Sequence, residues 1–220
     1  MRLPATLLGL ADHGPTWSGW LDALPRLADD QLDRWELVQD GEPTHGECAL
    51  VVPVRTADGA PAVVKLTWPH PEAEHEHLAL QHWHGDGSVL LLRADPHRAA
   101  LLLERLSTTD LSTVDDVEAC TVVGDLLRRL HRPALPQLTL LSTSVADWSA
   151  RLASLPRSAP LPRRLVDLAA SLGRTFADDP ATDGVLVHTD AHYANVLAGS
   201  REPWLVIDPK PLSGDPHYEP

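Results

Sequence analysis

The stretch that most limits what this chain can fold into is VLVHTDAHYANVL, residues 185–197. Apolar runs stand at both of its ends, and His188, Asp190, His192 and Asn195 lie between them. A chain that leaves a buried strand, turns and enters another strand can present such groups at a cleft without burying them unpaired. The pattern therefore predicts two short strands that flank a turn with chemically active side chains.

Composition and charge limit the class of protein. With 220 residues, of which 43% are hydrophobic, the chain can bury a sizeable core as one large domain or two small lobes. Its net charge of −13 repels phosphate backbones and anionic membrane surfaces and favours cationic partners. The apolar runs are far shorter than the roughly 20 residues that span a bilayer. We therefore expect neither a nucleic-acid ligand nor a membrane segment.

The cysteines and the first residues bear on location. Cys48 and Cys120 show no CxxC spacing, so neither a disulfide framework nor a thiolate zinc site is indicated. The opening residues contain one Arg and a short apolar run that Pro4 interrupts, which does not favour a signal peptide. We expect a reducing, cytoplasmic location, and nothing in the sequence indicates the oligomeric state.

Short strands are predicted in the first half of the chain. From Trp35 the segments WELVQD, CALVVPVRT and PAVVKLTW read as three strands, separated by GEPTHG (residues 41–46) and by a turn at Asp58-Gly59. This order predicts an antiparallel three-stranded meander. A helix is expected after Pro71 and ends near Gly85, and two further β runs, SVLLLR and AALLLERL, follow it.

Helical periods dominate after the segment STTD. One apolar stripe consists of Val117, Cys120, Gly124, Leu127 and Leu130, and a second consists of Leu161, Leu165, Leu168, Leu172 and Phe176. Short β runs then return in GVLVH, NVLA and WLVID. The fold class predicted is α+β in two lobes: a β-rich lobe with one helix over residues 1–105, and a mainly helical lobe over residues 106–220, with a connector near residues 104–110.

The spacing within the opening stretch is typical of phosphoryl transfer. Asp190 and Asn195 are five residues apart, as in the H-R-D-x-x-x-x-N loop, where the Asp accepts the proton of the attacking hydroxyl and the Asn binds Mg²⁺. His188 stands where that loop has its His. The segment VLAGSREPWLVIDPK then delivers Asp208 at the end of an apolar strand, a suitable second oxygen ligand for Mg²⁺.

Three segments, AALLLERL, HTDAHYANVL and WLVIDPKPLSGDPHYE, resemble the aminoglycoside phosphotransferase branch of the protein-kinase-like fold. More narrowly, they look like the streptomycin 6-phosphotransferase and hydroxyurea phosphotransferase group, and the resemblance runs from about Trp35 to the end. It implies a two-lobed kinase-like fold and an enzyme that transfers the γ-phosphate of ATP to a hydroxyl of a small molecule. The acceptor expected is a cationic aminoglycoside such as streptomycin, with antibiotic resistance as the outcome. Relatives carry several further helices after the position of Asp208, whereas 12 residues follow it here, so we expect a second lobe that is short at its carboxyl end.

The resemblance assigns roles to seven residues. Asp190 is the candidate catalytic base, and Asn195 with Asp208 would hold Mg²⁺. Lys65 would bind the α and β phosphates of ATP, and a helix carboxylate would hold it in place. We choose Glu76 over Glu74 because Glu76 shares a helical face with Leu80 and Trp83. Backbone groups around Glu104 and Leu106 would meet the adenine edge, and residues 41–46 would cover the phosphates.

Two other interpretations remain open at this point. His188, Asp190 and His192 alternate, so in a continuous strand they would project from one face and could bind a metal ion, as in a metal-dependent hydrolase. A catalytically inactive nucleotide-binding remnant of the same fold is the other.

Thr189 departs from the pattern, since aminoglycoside kinases generally carry Gly between the His and the Asp.

Overall fold

The computed structural model describes residues 1–219 as a molecule of sheets and helices. Its helices are α1 (Ala5–Leu8), α2 (Pro15–Trp35), α3 (Glu76–Trp83), α4 (Asp116–Leu130), α5 (Leu141–Ser154) and α6 (Arg163–Asp178). Its strands are β1 (Val38–Gln39), β2 (Thr44–His45), β3 (Ala49–Arg55), β4 (Pro61–Thr67), β5 (Leu91–Asp95), β6 (Ala100–Glu104), β7 (Arg132–Pro133), β8 (Val185–Val187), β9 (Val196–Ala198), β10 (Trp204–Val206) and β11 (Leu212–Gly214). Within residues 1–219, no helix is long and apolar enough to cross a bilayer.

An antiparallel sheet forms the amino-terminal half, with the strand order β1-β3-β4-β6-β5 and with β2 paired to β3. The predicted meander of β1, β3 and β4 is confirmed, and Gly59 has a φ of +84° in the β3–β4 turn. Side chains alternate along β4. Val64 and Leu66 are buried in the core under α2, whereas Val63 packs into the core on the opposite side. Lys65 therefore points away from α2.

Helix α2 covers one face of this sheet, although no element was predicted ahead of Trp35. It begins after Gly14 with Pro15 in its first turn, a favoured start because proline needs no amide partner there. Its buried side chains join those of β3, β4 and β6 in one core. The strand predicted from Trp35 is wrong in its start, because the helix continues through Trp35 and only Val38–Gln39 pair as a strand.

Helix α3 covers the other face and is shorter than predicted. Residues 71–73 form a separate 3₁₀ turn, and the α-helix begins at Glu76. It ends as expected, because His84 and Gly85 both have positive φ, which terminates a helix. Ala79, Leu80 and Trp83 are fully buried in a core shared with β6 and α4.

The two predicted helical stripes need correction. On α4, Val117 is 75% exposed, and the buried residues are Ala119, Leu126, Leu127 and Leu130. The second predicted stripe begins at Leu161, two residues before α6, and all five of its residues are about half exposed, at 48–55%. Helix α6 instead packs on α5 through Val166, Ala170 and Gly173. A Cβ at Gly173 would lie 2.0 Å from Ser149 Oγ, so these small residues permit the close approach of the two helices.

Two small sheets position the turn that opened the sequence analysis. Strands β9 and β10 form an antiparallel hairpin, and β8 pairs with both β7 and β11. The turn after β8 therefore lies between two short sheets, next to the end of α3 and to β10.

Candidate active site

Lys65 and Glu76 form a buried ion pair beneath the sheet. Lys65 Nζ is 2.7 Å from Glu76 Oε1 and 2.8 Å from Oε2, and the two side chains are 9% and 4% exposed. Glu76 is the first residue of α3, where the positive end of the helix dipole stabilises a carboxylate. Glu74 is exposed ahead of the helix. The structure therefore places Glu76, rather than Glu74, against Lys65.

Asp208 completes a charged cluster around Lys65. Lys65 Nζ donates to Asp208 Oδ1 at 2.5 Å. Burial disfavours the ammonium form of Lys65, but the charges of Glu76 and Asp208 more than offset this and raise its pKa above the ordinary value. Burial also opposes the charge of Asp208, yet Lys65 outweighs burial and lowers the pKa of Asp208. All three hydrogen-bond donors of the ammonium are thus occupied by carboxylate oxygens.

His188 fixes the turn that follows β8. It is fully buried, its Nε2 lies 3.0 Å from the carbonyl oxygen of Ile207, and its Nδ1 accepts from the amide of Asp190 at 3.2 Å. Its ring stacks on Trp83 at 6.1 Å. Burial lowers the pKa of His188, which agrees with a neutral ring that donates from Nε2 and accepts at Nδ1.

Thr189 has a left-handed backbone conformation, which glycine adopts more readily than threonine. Its φ is +62°, a left-handed conformation that is unfavourable for a β-branched residue. Its amide donates to Glu219 Oε1 at 2.7 Å and its hydroxyl donates to the carbonyl oxygen of Lys210 at 2.5 Å. These two bonds hold the strained residue, and the turn it creates directs Asp190 into the cleft.

Asp190 is held by two donors on the same carboxylate oxygen. Lys210 Nζ is 2.6 Å from Asp190 Oδ2, and Asn195 Nδ2 is 3.1 Å from that oxygen and 2.9 Å from the Asp190 carbonyl oxygen. The remaining oxygen, Oδ1, has His192 Nε2 at 3.9 Å, which is beyond hydrogen-bond distance. Within residues 1–219, the carboxylate of Asp190 therefore keeps one oxygen open to accept a proton.

The β9–β10 hairpin brings Asn195 and Asp208 together. Val196 pairs with Val206, and the amide of Ile207 donates to the carbonyl oxygen of Asn195 at 2.9 Å. Asp208 follows directly, with a φ of +55° that turns its side chain from the strand towards Lys65. Residues 13 positions apart in the sequence therefore meet at the end of one hairpin.

The donor set fits a magnesium ion. Asn195 Nδ2 makes both of its bonds to Asp190. The amide oxygen of Asn195 has no hydrogen-bond partner within residues 1–219. Asp208 Oδ2 likewise has no donor there, since Lys65 binds Oδ1. One amide oxygen and one carboxylate oxygen are ligands that Mg²⁺ accepts, with phosphate oxygens and water completing its shell.

The segment predicted to meet adenine joins the two halves of the chain. Glu104 is the last residue of β6, and its carboxylate accepts from the amide of Leu90 and from Arg201. The side chain is therefore structural. In the described part of the chain, neither the amide nor the carbonyl of Leu106 has a hydrogen-bond partner, so both remain open to a ligand.

The hydrolase interpretation is not supported. Strand β8 ends at Val187, and the positive φ of Thr189 reverses the chain, so His188, Asp190 and His192 do not share one strand face. Both ring nitrogens of His188 are bonded within the protein. Over residues 1–219, no group of three or more His, Cys, Asp or Glu side chains could hold a metal ion.

Two residues to which the sequence pattern assigned no role also lie here. Lys210 contacts Asp190, and Glu219, whose side chain is 1% exposed, links the amide of Thr189 to His131 Nε2 at 2.6 Å. The signal for Lys210 was present, because the chain has two lysines among its 18 basic residues and the other is Lys65. Glu219 had no comparable signal.

Solved structures with the same fold are kinase-like phosphotransferases. The macrolide 2'-phosphotransferase of Brachybacterium faecium matches 91% of this chain and 75% of its own, with a TM-score of 0.60 at 19% identity. The choline kinase of Streptococcus pneumoniae matches 88% of this chain and 71% of its own, with a TM-score of 0.58 at 14% identity. The predicted two-lobed, kinase-like α+β fold is confirmed.

Sequence comparison narrows the class. The family model described as aminoglycoside/hydroxyurea antibiotic resistance kinase matches residues 34–220. Streptomycin 6-kinase of Streptomyces glaucescens is 41% identical over 94% of this chain and 68% of its own length. Hydroxyurea phosphotransferase of Kitasatospora aureofaciens is 40% identical over all of this chain and 66% of its own length. The chain belongs to the aminoglycoside/hydroxyurea antibiotic resistance kinase family, whose members are small-molecule phosphotransferases with ATP as phosphate donor.

Proposed function

We propose that this protein transfers the γ-phosphate of ATP to a hydroxyl of a cationic aminoglycoside, with streptomycin as the first candidate. Two streptomycin 6-kinases, from Streptomyces glaucescens and Streptomyces griseus, are 41% and 42% identical to it. The net charge of −13 favours a cationic acceptor. Glu72 adds negative charge beside the cleft, since it lies close enough to contribute to the raised pKa values of Lys210 and Cys48.

Asp190 is the proposed base in this reaction. Its open oxygen, Oδ1, takes the proton of the acceptor hydroxyl as the acceptor oxygen bonds to the γ-phosphorus. The bond between the γ-phosphorus and the bridging oxygen breaks, and its electron pair leaves with ADP. Phosphoryl transfer needs little covalent chemistry from the protein, so the main contribution of Asp190 is to align the hydroxyl and remove its proton.

The remaining residues bind the nucleotide. Lys65 contacts the α and β phosphates, and its bond to Asp208 is the one that a phosphate oxygen replaces. Glu76 keeps Lys65 charged and in place. Asn195 and Asp208 would hold Mg²⁺, which would neutralise charge on the phosphate oxygens. The open backbone groups of Leu106 meet the adenine edge, and we place the boundary between the lobes at residues 105–106, before this residue.

The observation that carries the proposal is the convergence of four distant residues. Asp208 bonds to Lys65 across 143 positions of the chain, Asn195 bonds to Asp190, and the hairpin sets Asn195 beside Asp208. A base, two oxygen ligands and a lysine held by a helix carboxylate form the set that kinase-like phosphoryl transfer requires. Of the four, Lys65 carries its charge at a buried position, where the side chain is 9% exposed, and burying a charge is costly to folding.

The test is an ATP-consumption screen with Mg²⁺ across streptomycin, other aminoglycosides, hydroxyurea and a macrolide. We expect ADP formation above the acceptor-free rate with streptomycin, together with a mass gain of one phosphoryl group on the antibiotic. Chelation of Mg²⁺ with EDTA should abolish both, and Asp190→Asn serves as the matched variant. ADP formation that no acceptor stimulates would contradict the proposed activity, and stimulation by hydroxyurea alone would reassign the acceptor.

A further inference from the structure

The second lysine of the chain has a geometry that the roles given above do not use. Lys210 Nζ contacts Asp190 Oδ2 at 2.6 Å, with its side chain 29% exposed. The other lysine, Lys65, gives all three of its donors to Glu76 and Asp208. Lys210 gives one donor to Asp190, and within residues 1–219 no other acceptor lies in hydrogen-bond distance of its Nζ. Its ammonium therefore has two donors left for a ligand.

The backbone presents Lys210 rigidly. Its amide donates to the carbonyl oxygen of His188 at 3.0 Å, and its carbonyl accepts from the Thr189 hydroxyl. Pro209 and Pro211 flank it, and proline restricts both its own φ and the residue before it. The backbone of Lys210 is thus anchored to the same turn that carries Asp190, and its ammonium is held at that turn by the bond to Asp190 Oδ2.

The location of the ammonium identifies the group it meets. The ammonium occupies Oδ2 of Asp190 and leaves Oδ1 open. If Oδ1 takes the proton of the substrate hydroxyl, that hydroxyl must lie beside this carboxylate. The γ-phosphorus that the hydroxyl attacks must then lie there as well. Lys210 Nζ bonds the proposed base directly, and the charge of Asp208, the proposed metal ligand, contributes to the raised pKa of Lys210. A cation there faces the oxygens on which charge accumulates during transfer.

We propose that Lys210 is a second phosphate-binding lysine, which contacts the γ-phosphoryl group of ATP while it holds Asp190 in place. The inference rests on the proposed function. It divides the phosphate chain between the two lysines: Lys65 binds the α and β phosphates, and Lys210 binds the γ-phosphoryl group that is transferred. An alternative in which Lys210 serves only as the counterion of Asp190 makes different predictions.

Nucleotide binding separates the two roles without turnover. The Asp190→Asn variant has no carboxylate charge at position 190 for Lys210 to balance. If Lys210 were only a counterion, adding Lys210→Met to this variant should leave nucleotide affinity unchanged. If Lys210 binds the γ-phosphoryl group, the same change should weaken a non-hydrolysable ATP analogue with Mg²⁺ by about tenfold and leave ADP with Mg²⁺ unaffected. Equal effects on the two nucleotides, or no effect on either, would overturn the proposal.

Turnover provides the second readout. We expect Lys210→Met to lower kcat by a factor of about 10² to 10³, the usual cost of one charge-stabilising donor, and Lys210→Arg to recover at least a tenth of the wild-type rate because it keeps the charge. A kcat within threefold of wild type in Lys210→Met would refute the role. Wild-type protein without acceptor-stimulated turnover would refute the proposed function instead, and the affinity comparison would still decide Lys210.

Chemical labelling tests the unmodified protein and needs no variant to fold. Because the chain has two lysines, an amine-directed acetylating reagent followed by mass spectrometry reports on each. Lys65 is buried with all donors bonded, so it should label slowly in every state. Lys210 should be protected by the ATP analogue with Mg²⁺ and should label with ADP and Mg²⁺ as it does in the free protein. Equal labelling with both nucleotides would contradict the proposal.

Discussion

Around Asp190 the chain bonds its polar groups to one another, whereas along α6 it exposes its apolar ones. In the cleft, Lys210 and Asn195 donate to Asp190, and the amide of Thr189 donates to Glu219. On α6, Leu165, Leu168, Leu172 and Phe176 are each about half exposed, as is Leu161 just before the helix. The first region has weak local sequence periodicity and is highly ordered by tertiary bonds. The second has the clearest apolar stripe of the chain and packs through its other face.

The difference shows what each kind of pattern measures. An apolar stripe indicates that a helix would be stabilised by burying that face, but it does not identify the neighbouring element that would cover it. On α6 the small residues Ala170 and Gly173 decide the packing, because they let α5 approach closely. A polar cluster between buried strands indicates instead that polar groups lose their contacts with water, which is costly unless other bonds replace them. In the cleft, hydrogen bonds from distant residues replace them.

The largest effect expected is on the cleft. Asp190→Ala removes the proposed base and should lower kcat by a factor of about 10² to 10⁴, while ATP affinity remains nearly unchanged. The control is Asp22→Ala, an exposed carboxylate on α2, which should leave kcat as it is. Steady-state kinetics and a nucleotide titration measure both. Comparable turnover in Asp190→Ala would remove the residue from its role.

The next effect concerns the buried ion pair. Lys65→Met leaves Glu76 buried without a partner, so the free energy of unfolding should fall by about 3–5 kcal/mol. Lys65→Met combined with Glu76→Leu should recover most of that loss, because no unpaired charge remains. Urea denaturation of the single and double variants completes the cycle. If the double variant is as unstable as the sum of the two singles, the pair is not the source of the loss.

A smaller effect is expected at the strained turn. Thr189→Gly and Thr189→Ala both remove the hydroxyl bond, so they differ only in the backbone strain at a φ of +62°. We expect the glycine variant to be the more stable by about 1 kcal/mol, the reverse of the usual order for these residues. Thermal unfolding decides this, and an alanine variant at least as stable would show that the position is not strained in solution.

The smallest effect is expected on α6. Leu168 is 55% exposed, so Leu168→Gln should change the free energy of unfolding by no more than about 0.5 kcal/mol and leave kcat unaffected. Leu186→Ala, at a fully buried position on β8, is the contrasting variant and should cost about 2–5 kcal/mol. A loss above 1 kcal/mol in Leu168→Gln would mean that the stripe is covered in solution and would remove the contrast between the two regions.

Several predictions from the sequence depended on local patterns, and those patterns explain where they failed. The meander follows from alternating residues and the Asp58-Gly59 turn, which act over a few positions. Helix α2 was missed because its Trp, Pro and Gly residues weaken the periodic signal. The α6 stripe was assigned correctly to a helix, yet its exposure depends on α5, which no local pattern describes.

By itself, the sequence determined the existence of the turn after β8, the family, and the residue types that phosphoryl transfer needs, because spacing and chemistry are local properties. Helical periodicity already favoured Glu76 over Glu74 as the partner of Lys65, but tertiary structure alone decided that Asp208 reaches the same ammonium. It also decided that Lys210 lies on Asp190. These pairings depend on where separate elements pack, and the free energy of a buried charge is set by the partner that packing brings to it.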